Sequence, residues 1–292
     1  MALENYKKTE SPFEKQFANP EILGGGEGSV EIINLKPEYL KSSVPLLIVP
    51  GWVATAEVHK RNAELFAESG RHVIAMSSPH GVNVAHGITG EIPRVELHKA
   101  DAVMRVLNAQ GIEKVDVVAH SEAAIFVTAA ARAHPERFRS ITYIAPVGLM
   151  EHDSMWQLAL RFGKDIIEQW TGRNDEEGRK ERIWTAFHEG AKSFATGPIT
   201  TIKEVKAIAG AHVQKDIRAL HEAGIKIFVV RPNDDRAFLA SAIEPDSIDE
   251  ILNMNDTDGS IATTHNAWYL SPEKYTAAVG ALLDTLDQNN PK

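Results

Sequence analysis

Val115-Asp116-Val117-Val118-Ala119-His120-Ser121-Glu122-Ala123-Ala124 passes from a run of β-branched residues straight into an alanine-rich stretch of high helix propensity. The change of pattern predicts a buried strand, a tight turn and a helix, with Ser121 on the turn. Such a turn strains the backbone of the serine, so the residues two before and two after it have to be small. Ala119 and Ala123 meet that need in part, where glycine meets it fully. The geometry would expose Ser121 Oγ above the sheet. It would also aim the backbone N–H of Glu122, at a helix N-terminus, at any oxygen that gathers negative charge. Serine is equally at home as a plain helix cap, and this stretch alone leaves both readings open.

Outward from it, short apolar runs alternate with amphipathic segments, which predicts an α/β fold with a mainly parallel sheet flanked by helices. Strands are expected over 29–35, 44–49, 72–76, 115–119, 141–145 and 225–230, with a last one near 260–263. Several are nearly continuous Val/Ile/Leu runs, as strands buried on both faces should be. Helices are expected over 57–69, 95–109, 122–133 and 273–286, with Gly70 and Gly111 as helix stops. From 147 to 214 the alternation breaks into charged, tryptophan-bearing helical segments with no strand, which reads as a helical cap inserted into the core. The domain division is thus a polar N-terminal arm over 1–26, a core over 27–146 and 215–292, and the cap over 147–214. Gly24, Gly26 and Gly28 lack the preceding strand, the following helix and the third glycine of a dinucleotide loop, and read as a flexible turn.

Composition narrows the chemistry. Of the 292 residues, 43% are hydrophobic and 24% charged, the balance of an ordinary globular protein that can bury a sizeable core. The absence of cysteine excludes thiolate nucleophiles, thiolate metal sites and disulfides. A net charge of -9 repels phosphate backbones and anionic headgroups, so neither nucleic acid nor a membrane surface is an expected partner. No apolar run reaches the ~18 residues of a membrane span, and charges stand where a secretion signal would be apolar, so a cytoplasmic location is expected. No His-Glu-x-x-His or comparable ligand cluster occurs, so neither metal nor cofactor is expected.

In strand order and motifs, from about Glu27 to Leu286, the chain resembles the α/β-hydrolase superfamily. The resemblance implies a nucleophile, an acid and a histidine in that chain order, and this sequence supplies each. Ser121 is the nucleophile. Asp235, in Val229-Val230-Arg231-Pro232-Asn233-Asp234-Asp235-Arg236-Ala237-Phe238, follows a strand as the acid, with Asp234 as the alternative. His265, in Ala262-Thr263-Thr264-His265-Asn266 before the last helix, is the base. Leu46-Leu47-Ile48-Val49-Pro50-Gly51-Trp52 is similar to the His-Gly-aromatic stretch of these enzymes, with Pro50 in place of the histidine. That similarity implies an oxyanion hole of the Trp52 and Glu122 amides, with Gly51 giving close backbone approach. Ser78-Pro79-His80-Gly81 fits a loop of structural role.

A serine nucleophile argues against the branches of the superfamily that attack with aspartate, and leaves acyl transfer to water. The cap aromatics Trp156, Phe162, Trp170, Trp184, Phe187 and Phe194 could cover a small apolar substrate, with Gly51, Trp156 and Trp184 as its expected contacts, or could be the cap's own core. A carboxylesterase is the first expectation. A carbon–carbon bond hydrolase, or a cofactor-free haloperoxidase or perhydrolase, would use the same three residues. A ligand receptor that keeps the fold without turnover is the non-enzymatic alternative, and the elbow alanines are what favour it.

Overall fold

In the computed structural model the described residues are 13–24, 29–79, 88–89, 92–149, 164, 179–235, 244–255 and 262–289. Ten strands lie among them: β1 Glu21–Leu23, β2 Val30–Leu35, β3 Leu46–Val49, β4 Val73–Met76, β5 Ile88–Thr89, β6 Ile92–Pro93, β7 Val115–His120, β8 Phe138–Ile144, β9 Lys226–Pro232 and β10 Glu250–Met254. The helices among them are α1 Glu14–Phe17, α2 Lys60–Glu68, α3 Arg94–Ala109, α4 Ala123–Ala133, α5 Arg179–Thr196, α6 Pro198–Gly210, α7 Gln214–Glu222, α8 Ala267–Leu270 and α9 Pro272–Asn289.

One sheet of eight strands runs in the order β1-β2-β4-β3-β7-β8-β9-β10, and every pair from β4 to β10 is parallel. Strands β3, β4 and β7 are buried along their whole length, which is why β3 and β4 are unbroken Leu, Ile, Val, Ala and Met and β7 departs from that only at Asp116 and His120. Their side chains alternate between faces. Leu47, Val49, Val117 and Ala119 join a core roofed by α3 and α4, while Leu46, Ile48 and Val118 join one roofed by α2 and α9. Helix α4 is mostly alanine and aliphatic and is buried from Ala123 to Ala131, so it can lie close against the sheet.

The register decides what stands together. Val49 pairs with Ala119, and Ile144 pairs with both His120 and Val230. The carboxyl ends of β3, β7, β8 and β9 therefore lie side by side, and the loops that follow them carry Gly51 and Trp52, Ser121, Ala145, and Asp234 and Asp235. A parallel sheet collects functional groups at this edge because every helix N-terminus also opens there. The opposite edge is tied by charge: Arg71, itself buried, meets Asp284 at 2.6 Å and Asp287 at 2.9 Å, fixing α9 to the sheet.

Three expectations change. Among the described residues the last strand is Glu250–Met254, and Ala262 and Thr263 of the expected 260–263 carry no strand; as the edge strand Glu250–Met254 is only half-buried, so Glu250 and Asn253 interrupt the apolar pattern that marks the inner strands. The 1–26 stretch is more than an arm: Phe13 and Phe17 are buried at α1, and β1 pairs antiparallel with β2. The helix expected over 57–69 opens as a 3-10 turn, Ala56–His59, before α2 begins. Gly70 and Gly111 do end helices, with φ of 89° and 62°. Between β8 and β9 the described residues form α5, α6 and α7, while Trp156, Phe162 and Trp170 of the expected cap, and the side chains of Phe187 and Phe194, fall outside the described residues. No helix among the described residues is long and apolar enough to cross a membrane.

His59 and His120 lie in the core beside His265. His59 is fully buried against the rings of His120, Trp268 and Tyr269, and desolvation lowers its pKa from 6.5 to about 3. His120 is held well below the ordinary histidine value by burial, and next by His265. A base whose folded pKa is depressed contributes stability above its unfolded pKa and loses it as pH falls toward the folded one. For His59 that loss runs from pH 6.5 down to about 3 and amounts to about 5 kcal/mol. Urea midpoints measured from neutral pH down to about pH 4.5 should thus fall steadily. His59→Phe should flatten that fall and raise the midpoint more in acid than at neutrality; an unchanged slope would mean that His59 does not titrate on unfolding.

Candidate active site

Ser121 occupies the turn between β7 and α4 with φ +56°, a left-handed conformation that few residues other than glycine adopt. The strain is held by backbone hydrogen bonds: the Ser121 N–H donates to the Ile144 carbonyl at 2.9 Å, and the Ser121 carbonyl accepts from Ala124 at 3.1 Å and Val147 at 3.3 Å. The flanking Ala119 and Ala123 are wholly buried, so the turn closes around two methyl groups where two glycines would be roomier. Gly51 lies under the same turn. A Cβ built there would meet Ser121 Cβ at 2.9 Å, so no side chain fits without moving the serine.

His265 sits in the loop before α8. Its Nε2 is 2.8 Å from Ser121 Oγ and its Nδ1 is 3.0 Å from Asp235 Oδ2. A carboxylate can only accept, so the ring proton sits on Nδ1 and leaves Nε2 free to accept from the serine hydroxyl. The side chains of His265 and Asp235 are 1% and 2% exposed, and Ser121 is 6% exposed, so the relay is shielded from water. His120 Nε2 lies 3.2 Å from the His265 carbonyl; a carbonyl cannot donate, so His120 does, and it steadies the loop.

The neighbouring aspartate has other partners. Asp234 Oδ2 accepts from Thr263 Oγ1 at 2.6 Å, and its N–H donates to the Thr263 carbonyl at 2.9 Å. Asp234 thereby ties the acid loop to the histidine loop, and Asp235 meets the imidazole. Arg236, Ala237 and Phe238, which follow Asp235 in the chain, fall outside the described residues.

Trp52 and Glu122 flank the serine. Among the described residues neither backbone N–H has an acceptor, which leaves both available at the serine's edge of the sheet. Val53, next to Trp52, also has positive φ, at 52°, unusual for a β-branched residue and a sign that this loop is tightly shaped. Of the expected substrate contacts, Gly51 adjoins the serine, Trp184 lies on α5 and is 58% exposed, and Trp156 falls outside the described residues. No group of three or more histidine, aspartate or glutamate side chains that could hold a metal occurs among the described residues.

The comparisons with known proteins agree with this architecture. Residues 44–183 match the family model described as alpha/beta hydrolase fold, and solved structures align with the chain over most of both lengths. The chain has the alpha/beta-hydrolase fold. A bromoperoxidase from Bacillus anthracis is 12% identical with a TM-score of 0.64 over 91% of this chain and 100% of its own. A carboxylesterase of Nitrososphaera gargenis is 17% identical, TM-score 0.64, over 92% and 100%. The naproxen esterase of Bacillus subtilis is 15% identical, TM-score 0.61, over 91% and 91%. No curated protein matches in sequence. At such identities the likeness fixes the fold alone, because one fold hosts many chemistries.

What sequence reading missed in this hydrolase fold is the ring of buried ionisable groups behind the site. Glu96, Lys99, Glu122 and Glu204 are each at most 1% exposed. One signal was available: Lys99 falls on the apolar stripe of α3 with Val95, Ala102, Val103 and Val106, where a solvated lysine does not belong.

The geometry separates the two aspartates. Asp235→Asn should lower kcat by about 10⁴, the scale seen when a triad acid is replaced and the histidine tautomer is lost. Asp234→Asn should lower kcat far less and mainly reduce thermal stability. Steady-state hydrolysis of an aryl ester by both variants checks this, and the opposite ranking would transfer the acid to Asp234.

Proposed function

We propose that this protein is a serine hydrolase that cleaves an ester, or a similarly activated carbonyl, of a small and largely apolar substrate through an acyl-enzyme on Ser121. The observation that carries the proposal is the unbroken, buried relay from Ser121 Oγ through His265 to Asp235, at 2.8 and 3.0 Å. Ser121 Oγ attacks the carbonyl carbon while its proton passes to His265 Nε2. The carbonyl π electrons move to oxygen, and the Trp52 and Glu122 amides receive that charge. The tetrahedral adduct collapses, the C–O bond to the leaving group breaks, and His265 returns the proton to the departing oxygen. Water then repeats the sequence against the acyl-enzyme and frees Ser121. Asp235 holds the Nδ1–H of His265 and stabilises the imidazolium in both halves.

Residues 147–214 would act as the cap over this site. Glu204 of α6 reaches across to the indole of Trp52 at 2.8 Å, which supports that assignment. The partner implied is a small molecule; a receptor on the same scaffold would bind one without turnover.

Of three clustered histidines, His59 and His120 are kept neutral by burial, and His265 is the one whose ring meets Ser121 Oγ. Hydrolysis of p-nitrophenyl butyrate should rise with pH through a single ionisation, because only neutral imidazole accepts the serine proton. Ser121→Ala should remove at least about a thousandfold of kcat while leaving the fold intact. A pH-independent rate, or turnover that survives Ser121→Ala, would refute the mechanism.

A further inference from the structure

The two amides assigned to the oxyanion belong to residues whose side chains point into one buried network. Glu122 accepts from Lys99 Nζ at 2.6 Å, and Lys99 is wholly enclosed. The same ammonium is 3.8 Å from Glu204 Oε1, and the other oxygen of Glu204 accepts from Trp52 Nε1 at 2.8 Å. Glu96, one helical turn before Lys99 on α3, faces Glu122. A chain of contacts thus runs from Trp52 through Glu204 and Lys99 to Glu122, joining the loop after β3, helix α6, helix α3 and the turn after β7.

Four ionisable groups in the interior must be nearly balanced in charge to be tolerated. Burial and the adjacent Glu122 push the Glu96 carboxyl well above the ordinary carboxylate range. A proton is therefore held on Glu96 more tightly than on an ordinary carboxyl, which eases the crowding of three carboxylates around one ammonium. Burial opposes the Lys99 charge, but Glu122, Glu96 and Glu204 around it outweigh that and raise its pKa, so it stays an ammonium. Such an arrangement has few alternative geometries, since breaking one link strands a buried charge or an unpaired donor. It is also costly for a role that apolar packing could fill, and it stands directly behind the two amides whose spacing matters.

We infer that the Lys99–Glu122 and Glu204–Trp52 contacts form a clamp that fixes the two oxyanion-binding amides relative to each other, with Lys99 and Glu204 as positioning residues. The inference rests on the serine-hydrolase reading. A clamp of this kind acts on the transition state and not on substrate binding, because the oxyanion forms only as the carbonyl is attacked.

Three variants test it with p-nitrophenyl butyrate and with phenylboronic acid, whose boron can take a tetrahedral adduct from the serine. Glu204→Leu removes the acceptor for Trp52 and should lower kcat by about tenfold, with KM within about twofold and a parallel loss of boronic-acid affinity, as expected when donors are misaligned but not removed. Glu204→Gln keeps an acceptor for the indole and should recover most of that loss, which a purely electrostatic role would not predict. Trp52→Phe keeps an aromatic ring, loses the indole N–H, and should move kcat and boronic-acid affinity in the same direction. If Glu204→Leu does not fold, Trp52→Phe decides alone. A Trp52→Phe protein with wild-type kcat and boronic-acid affinity overturns the clamp while leaving Ser121 as nucleophile. Wild-type turnover that survives Ser121→Ala overturns the nucleophile and the clamp together.

Discussion

Where β7 ends, Ser121 turns the chain through a left-handed conformation directly above Gly51, and this one close approach constrains the rest of the site. Val49 pairs with Ala119, so the ends of β3 and β7 lie level, and a Cβ at Gly51 would come within 2.9 Å of the serine's own Cβ. Glycine at that point lets the Trp52 loop fold against the serine turn. The parallel pairing of β7 with β8 and of β8 with β9 then delivers the acid loop to the same edge. The loop carrying His265 is tied to it by the Thr263 hydrogen bonds to Asp234 and held from behind by His120. A side chain at Gly51 would move the serine, and with it the 2.8 Å contact to His265.

Charge is the second theme, because this interior holds more of it than a core needs. Histidines 59 and 120 remain neutral by desolvation, whereas Lys99 remains charged because carboxylates surround it. The two solutions stand on opposite sides of the serine turn. On one side, neutral rings support the His265 loop without competing for the serine proton. On the other, a fixed ammonium holds the carboxylate of the residue that follows the serine. Buried ion pairs seldom add net stability over apolar packing, so this network is better understood through the geometry it imposes.

The sequence made some of this legible for clear physical reasons and concealed the rest for equally clear ones. The strand-turn-helix around Ser121 shows because a doubly buried strand must be a Val/Ile/Ala run and the helix after it must pack tightly. β10 was hidden because an edge strand has no such obligation, and its Glu250 and Asn253 read as loop. β1 is too short, at three residues, to leave a pattern. Asp234 and Asp235 are adjacent carboxylates that periodicity cannot distinguish; only the contacts with Thr263 and His265 give them different partners. The Lys99 network joins residues from four separate elements, so spacing along the chain could at most have marked Lys99 as a charge at an apolar position. The three histidines that cluster behind and beside the serine come from positions 59, 120 and 265, and no local motif links them.

The central claim is that Ser121 is an activated nucleophile facing a working oxyanion hole. Covalent labelling with a fluorophosphonate, followed by peptide mass mapping, reads nucleophile, base and oxyanion site in one measurement, since the phosphonyl adduct forms only where all three act together. The account predicts a single adduct, on Ser121, whose formation slows as His265 becomes protonated. An intact, folded protein that takes up no label, or that takes it up on another residue, would contradict it.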